Sequence, residues 1–184
     1  MGALRDGGGG EHRALLDREE AERSRPLGRA LDLGCGRGQY SRELARRGWR
    51  VVGIDNVPRA GQCGKAHRRG RHRRRRGRRD GPPAGRAGHF DFFFDVGCFQ
   101  GLSSEQRLAE GRGVAALANP GATLLMLAFQ PTIMRPVVGG VSRTDVEAAL
   151  EGWEMLAVEP AETSGLGWPL TTTSPQWHRL RRQP

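Results

Sequence analysis

A glycine-rich turn between a short apolar strand and a helix constrains this chain more than any other feature. The run LDLGCGRG spans residues 31–38. Glycines let the backbone turn tightly and approach a ligand with no Cβ in the way. The helix that follows offers unpaired N–H groups in its first turn. We therefore expect a nucleotide-type ligand to bind here, at the carboxyl end of a strand.

The apolar patterning around this turn predicts alternating strands and helices. Strands are predicted at 29–33, 50–55, 90–95, 122–129, 153–158 and 177–180, and helices at 11–23, 38–47, 103–117 and 142–150. A capping box, Ser103 with Gln106, opens the third helix, although Gly111 and Gly113 weaken its interior. The run 119–121, Asn-Pro-Gly, predicts a turn before the fourth strand. This order predicts an α/β fold with a doubly wound, mostly parallel sheet.

The spacing of the glycines decides between two kinds of nucleotide turn. A dinucleotide fingerprint needs glycines at its first, third and sixth positions. Counted from Gly34, the sixth position is Gln39, so that fingerprint fails. The pattern present over residues 32–38 is Asp-x-Gly-x-Gly-x-Gly, and Asp55 closes the next strand. This combination resembles motif I and the acidic second-strand end of the class I S-adenosylmethionine-dependent methyltransferases.

Three later segments extend the resemblance in the same order along the chain. Residues 90–98 are similar to the family's fourth-strand motif, 119–121 to the turn before its fifth strand, and the two closing strands to its last pair. The resemblance covers residues 29–60 and 90–182. It implies a Rossmann-like sheet in the order 3-2-1-4-5-7-6 with an antiparallel last strand. The third strand is in doubt, because no apolar run precedes residue 90 at its expected place.

The resemblance implies S-adenosylmethionine as cofactor and names the residues around it. The implied cofactor-binding residues are Asp32, Gly34, Cys35, Gly36, Gly38, Asp55, Asn56 and Asp95. Asp55 would accept hydrogen bonds from the ribose hydroxyls, and Asp32 would orient the loop and the amino group. Asp95 would stand near the transferred methyl and is the candidate for a catalytic group. It could equally be a cap or turn residue.

The expected methyl acceptor is a small molecule. The chain is short, and the loop after Asp95 lacks the Asn/Asp-Pro-Pro-aromatic signature of amino-directed nucleic-acid methyltransferases. The sequence near Asp95 resembles that of compact small-molecule methyltransferases of the thiopurine and tellurite-resistance types. Those enzymes often carry a histidine soon after the aspartate, whereas this chain has Gln100, which cannot act as a base at neutral pH. The acceptor pocket is expected between residues 95–101, 130–140 and 163–173.

One arginine-rich window holds the whole net charge of +10. Lys65 and ten arginines lie between Gly64 and Gly88, and outside this window basic and acidic residues are equal in number. The window lacks aromatic residues to stack on bases, which disfavours nucleic-acid binding as the function. Its length suits a helix and a third strand, but its composition suits neither. We interpret residues 61–88 as an out-of-frame translation, with a genuine basic insertion as the rival hypothesis.

The remaining expectations concern organisation and compartment. We expect an N-terminal tail and helix over 1–28, and the methyltransferase domain over 29–184. The first helix could be a lid over the cofactor or a solvated terminal helix, and the phenylalanines at 92–94 favour core over a substrate platform. Three cysteines and no apolar run of eighteen residues predict a reduced, cytoplasmic protein without a metal or a membrane span. A silent cofactor-binding protein is the other alternative, and the oligomeric state is left open.

Overall fold

Nearly all of the predicted strands and helices form, and several begin and end at the predicted residues. The computed structural model describes residues 10–55, 89–131, 140–163 and 173–184. In chain order the elements are α1 Glu11–Ala21, β1 Arg29–Leu33, α2 Gln39–Arg47, β2 Arg50–Ile54, β3 Phe90–Val96, α3 Ser104–Leu117, β4 Ala118–Phe129, α4 Arg143–Ala149, β5 Trp153–Pro160 and β6 Pro175–Arg182. Asn56 and the arginine-rich window lie outside the described residues.

Six strands of the described residues form one sheet in the order β2-β1-β3-β4-β6-β5. The pairs from β2 to β4 are parallel, and β6 runs antiparallel to both β4 and β5. This confirms the predicted fold class, a Rossmann-like doubly wound sheet with an antiparallel last strand. The strand predicted outside β2 falls in the segment 56–88, outside the described part of the chain.

Helices cover both faces of the sheet, because the strands point apolar side chains to each side in turn. Phe93 packs on one face with the α3 and α4 side chains Val114 and Val146. Phe92 and Phe94 pack on the other face with residues of α1 and α2. All three phenylalanines are fully buried. They are therefore core residues and not a platform for a substrate.

Helix α1 is fixed to the sheet by a buried carboxylate. Glu19 is only 2% exposed. It accepts hydrogen bonds from Arg23, from the Thr123 hydroxyl and from Arg179 on β6. At the other end of the helix, the His12 ring meets Tyr40 edge-on at 5.4 Å, just after the glycine turn. The helix thus packs one face on the protein and exposes the other, and its amino end adjoins the predicted cofactor edge.

Two expectations about local structure need correction or qualification. Pairing of β4 with β3 already begins at Ala118, so the predicted turn at 119–121 lies within the strand as an irregularity in register. Helix α3 continues through Gly111, where a Cβ would collide with the Ala149 carbonyl oxygen. That glycine lets α3 approach α4 closely. Among the described residues, no helix is both long enough and apolar enough to span a membrane.

Candidate functional site

The glycine turn follows β1 at the carboxyl edge of the parallel strands. Gly34, Gly36 and Gly38 have φ values of 65°, 50° and 75°, in the left-handed region that other residues rarely adopt. The Cys35 N–H donates to the Ile54 carbonyl at 2.9 Å, which ties the turn to the end of β2. The left-handed glycines and this hydrogen bond fix the backbone conformation of the predicted loop.

Gly36 faces open space beside the carboxylate of Asp55. Among the described residues, the nearest neighbour of a Cβ at Gly36 would be the Gly34 carbonyl oxygen, at 3.9 Å. The Gly36 N–H donates to Asp55 Oδ2 at 2.7 Å. The turn therefore leaves a cradle that a side chain at Gly36 would fill, with a carboxylate on its rim.

Asp32 lies beneath the turn and anchors the helix that follows it. Its side chain is 2% exposed and accepts a short hydrogen bond from the Ser41 hydroxyl, in the first turn of α2. Burial raises the pKa of Asp32 to about 7, and the charge of Asp55 adds to this, while the Ser41 hydrogen bonds oppose it. Asp32 thus positions the loop through α2.

Asp95 ends β3 and organises the backbone of the next turn. Its carboxylate accepts the N–H groups of Cys98 at 2.8 Å and Phe99 at 3.0 Å. The side chain is fully buried. The pKa of Asp95 is raised well above its usual range, first by burial and then by the nearby charge of Glu110. The arrangement matches the turn-residue alternative, since both oxygens bind the protein's own backbone.

Glu110 on α3 completes a cluster behind this turn. Its carboxyl lies beside that of Asp95 and accepts a hydrogen bond from the Cys98 thiol at 3.8 Å. Burial raises the pKa of Glu110 to about 7 and that of the Cys98 thiol far above its usual value. Atoms of the three side chains lie within 4.8 Å of one another, which is close enough for a metal ion. Because they already bond one another and burial favours their protonated forms, we assign no metal to them.

The turn at 97–101 connects the glycine loop to the end of β4. A Cβ at Gly34 would lie 2.7 Å from the Cys98 Cβ, so the two segments touch. The Gln100 side-chain oxygen accepts the Phe129 N–H at 3.0 Å. Arg107 donates to the carbonyls of Phe99 and Gln100. Gln100 therefore serves as a structural link between this turn and the end of β4.

The structure brings most of the predicted cofactor residues to one edge of the sheet. Asp32, Gly34, Cys35, Gly36, Gly38 and Asp55 surround the ends of β1 and β2, and Asp95 lies at the end of the neighbouring strand β3. Asn56 lies outside the described residues, as do 132–139 and 164–172 of the predicted acceptor pocket. Their roles remain predictions.

Sequence reasoning missed Ser41 and Glu110. Ser41 follows no motif, although a hydroxyl in the first helical turn above a buried aspartate is a usable signal. Glu110 lies four residues before Val114, which is buried with Gly111 and Leu117. An acid so close to the apolar stripe of a helix indicates a partner inside the protein.

Comparisons with known proteins agree with this geometry. A family profile described as "Methyltransferase domain" matches residues 30–121, half of the chain. The N-methyltransferase NodS from Bradyrhizobium japonicum, solved with S-adenosyl-L-homocysteine, is similar at 18% identity and a TM-score of 0.73, over 94% of this chain and 86% of that one.

Two further solved structures share the fold. Magnesium protoporphyrin IX methyltransferase from Synechocystis matches at 18% identity and a TM-score of 0.70, over 93% of this chain and 81% of that one. The [4+2]-cyclase SpnF matches at 18% identity and a TM-score of 0.68, over 92% and 80%. The profile match, together with the glycine turn and the strand order, shows that the chain belongs to the methyltransferase domain family.

Proposed function

We propose that this chain is an S-adenosylmethionine-dependent methyltransferase that acts on a small-molecule acceptor. The observation that carries the proposal is the cradle at Gly36, open above the backbone and edged by the Asp55 carboxylate. It lies within the segment that matches the methyltransferase profile. The structural neighbours solved with S-adenosylmethionine or S-adenosylhomocysteine support the choice of cofactor.

The residues around the cradle fit such a ligand. The three glycines let the backbone pass close to the methionine part, and Asp55 accepts the ribose hydroxyls. A carboxylate has about four lone-pair sites, so Asp55 can keep the Gly36 N–H while it binds the ribose. Asp32 holds α2 and the loop in place from below. Cys35, Gly38 and Asn56 are proposed as further contacts.

The cofactor supplies an electrophilic methyl group on a sulfonium, and the chain supplies alignment. In-line displacement releases a neutral sulfide, so holding donor and acceptor in line is the protein's main contribution. Such alignment can lower a barrier by about 7–11 kcal/mol. The Asp95 oxygens already accept two backbone N–H groups. We therefore give Asp95 a positioning role and assign no general base.

The chain's own features support a small acceptor. The loop after Asp95 lacks the signature of amino-directed nucleic-acid methyltransferases. The neighbour from Synechocystis is named for magnesium protoporphyrin IX, itself a small molecule. The acceptor pocket would lie above the 97–101 turn and the loops at 130–140 and 163–173. The low cysteine content, three in 184 residues, fits the reducing cytoplasm as the proposed compartment.

A labelled-methyl assay tests the proposal. The purified chain is incubated with methyl-labelled S-adenosylmethionine and fractions of a cell extract, and the products are separated by size. We expect label in the low-molecular-weight filtrate, with less label when Asp55 is replaced by alanine. Label in RNA, DNA or protein would contradict the small-molecule acceptor.

A silent binding protein is the second candidate, because one structural neighbour is described as a cyclase and not as a methyltransferase. A shared fold at 18% sequence identity therefore does not determine which reaction a protein catalyses. Saturable cofactor binding without transfer to any fraction would favour this second candidate. Binding to RNA that falls steeply with salt would instead favour the arginine-rich window as the functional part.

A further inference from the structure

Helix α2, which follows the glycine turn, is anchored at its amino end by a residue outside the helix. Its N-cap residue is Gly38, which has no side chain to accept a hydrogen bond from the first turn. The anchor comes from β1, because the buried carboxylate of Asp32 accepts a hydrogen bond from the Ser41 hydroxyl. Ser41 is the third residue of α2 and is only 1% exposed. The start of the helix is therefore tied to the strand on the other side of the turn.

A gap in β2 makes room for this anchor. Gly53 is paired with Asp32 across the two parallel strands, so the two positions point to the same face of the sheet. A Cβ at Gly53 would lie 2.9 Å from the Cys35 sulfur and 3.0 Å from the Ser41 hydroxyl oxygen. The loop and the helix therefore rest directly on the backbone of β2. Gly53 does not have a positive φ, so this glycine provides space and not a left-handed backbone.

Both contacts bear on the loop that would hold the cofactor. Residues 34–38 lie between Asp32 and Ser41, and the Gly38 N–H donates to the Cys35 carbonyl at 2.6 Å, which closes the turn. The loop is thus held at both of its ends and at its centre. A loop that already has the bound conformation costs less free energy to order when the ligand binds. The hydrogen bond behind the loop should therefore contribute to ligand affinity as well as to folding.

We propose that Ser41 is a positioning residue for cofactor binding, which fixes the glycine loop by tying α2 to Asp32 over the gap at Gly53. The Ser41 hydroxyl is bonded to Asp32 behind the loop, so it acts through the loop and not by contact with the ligand. Without this tie, the loop adopts the conformation that binds for only part of the time, and the apparent affinity falls by that fraction. This inference rests on the proposed cofactor site.

Two substitutions disturb this contact from opposite sides. Ser41→Ala removes the hydroxyl, and Gly53→Ala adds a methyl group that must displace the Ser41 hydroxyl and the Cys35 side chain. Ser142→Ala is the matched control, since it removes a hydroxyl that caps α4 by accepting the Asp145 N–H. Titration calorimetry gives the S-adenosylhomocysteine affinity and stoichiometry of the wild type and the three variants, and differential scanning calorimetry gives each Tm.

We expect Ser41→Ala and Gly53→Ala to bind S-adenosylhomocysteine about three- to tenfold more weakly than the wild type, the size of one lost hydrogen bond. Ser142→Ala should lower Tm and keep the wild-type affinity. Misfolded chains would lower the measured stoichiometry but leave the dissociation constant of the folded chains unchanged, so a purely structural role is distinguished from positioning. Wild-type affinity in folded Ser41→Ala would overturn the proposal.

The outcomes keep this test separate from that of the function. No binding by the folded wild type contradicts the proposed cofactor site itself, whereas equal binding by the wild type and Ser41→Ala contradicts only the role of Ser41. If Ser41→Ala does not fold, wild-type affinity in Gly53→Ala overturns the inference. If neither variant folds, amide exchange of the wild type decides. The ligand should slow exchange of the Arg42 N–H, which bonds the Gly38 carbonyl, and unchanged exchange there would refute the inference.

Discussion

Replacing Gly36 by alanine should weaken cofactor binding about tenfold or more while leaving the protein folded. Within the described part of the chain, the new methyl group meets no atom closer than 3.9 Å and therefore causes no collision there. Its cost to folding comes from the φ of +50°, about 1–2 kcal/mol for a residue other than glycine. For a chain of this length that lowers Tm by about 2–8 °C.

The same methyl group fills the cradle in which the ligand must lie. We expect the affinity for S-adenosylhomocysteine to fall about tenfold or more, since tenfold corresponds to only about 1.4 kcal/mol. Binding is measured by titration calorimetry, and Tm by differential scanning calorimetry. Gly34→Ala does not make this distinction, because its Cβ would also collide with Cys98.

Gly121→Ala is the matched control for Gly36→Ala. Gly121 has a φ of +75°, and none of the residues that the structure describes comes within 4 Å of an added Cβ. It lies near the start of β4, away from the carboxyl edge. The two variants should therefore lose similar stability, while only Gly36→Ala loses affinity. Equal affinity in both variants would refute the claim that the ligand lies against this glycine.

Three further predictions address packing, pH dependence and the arginine-rich window. Gly111→Ala should destabilise the protein by about 1–3 kcal/mol in chemical denaturation, because the added Cβ meets the Ala149 carbonyl oxygen. Replacing a glycine by alanine within a helix usually stabilises a protein, and such a gain here would contradict the prediction. Burial, with the charge of Arg143, lowers the pKa of His178 from 6.5, so the unfolded chain takes up the proton first and stability should fall as the pH drops below about 6.5. In thermal unfolding from pH 7.5 to 5, His178→Met should show a smaller fall than the wild type, and equal falls would count against it. Translating residues 61–88 of the gene in its other two frames should give an amphipathic helix, then a Val/Ile-rich strand with an acid; if neither frame does, the arginines are genuine.

The strands and helices were predictable because local signals mark their ends. Gly48 ends α2 in a left-handed conformation, as expected. The Ser103 capping box is also present, and α3 begins at the next residue, Ser104. The start of β4 was not predictable. Its first pair, Phe90 with Ala118, joins residues far apart in sequence, and Ala118 directly precedes the Asn-Pro-Gly run. Local turn signals do not report such a pairing.

The positions of the site residues were predictable, but their partners were not. The order of motifs placed Asp32, Asp55 and Asp95 at one edge of the sheet. Their hydrogen bonds to the Ser41 hydroxyl, to the Gly36 N–H and to the N–H groups of Cys98 and Phe99 depend on how the helices and loops pack. For Asp95 these bonds change the interpretation, because they turn a candidate for chemistry into an organiser of the adjacent turn.

Titration calorimetry of the full chain with S-adenosylhomocysteine, with Asp55→Ala alongside, tests the central claim most directly. The cradle predicts a single saturable site per chain. Removing the Asp55 carboxylate loses two hydrogen bonds to the ribose, each worth about 1 kcal/mol, so the variant should bind about tenfold more weakly or worse. Absence of binding by the folded wild type, or equal affinity in the two proteins, would contradict the assignment of the glycine turn and Asp55 as the cofactor site.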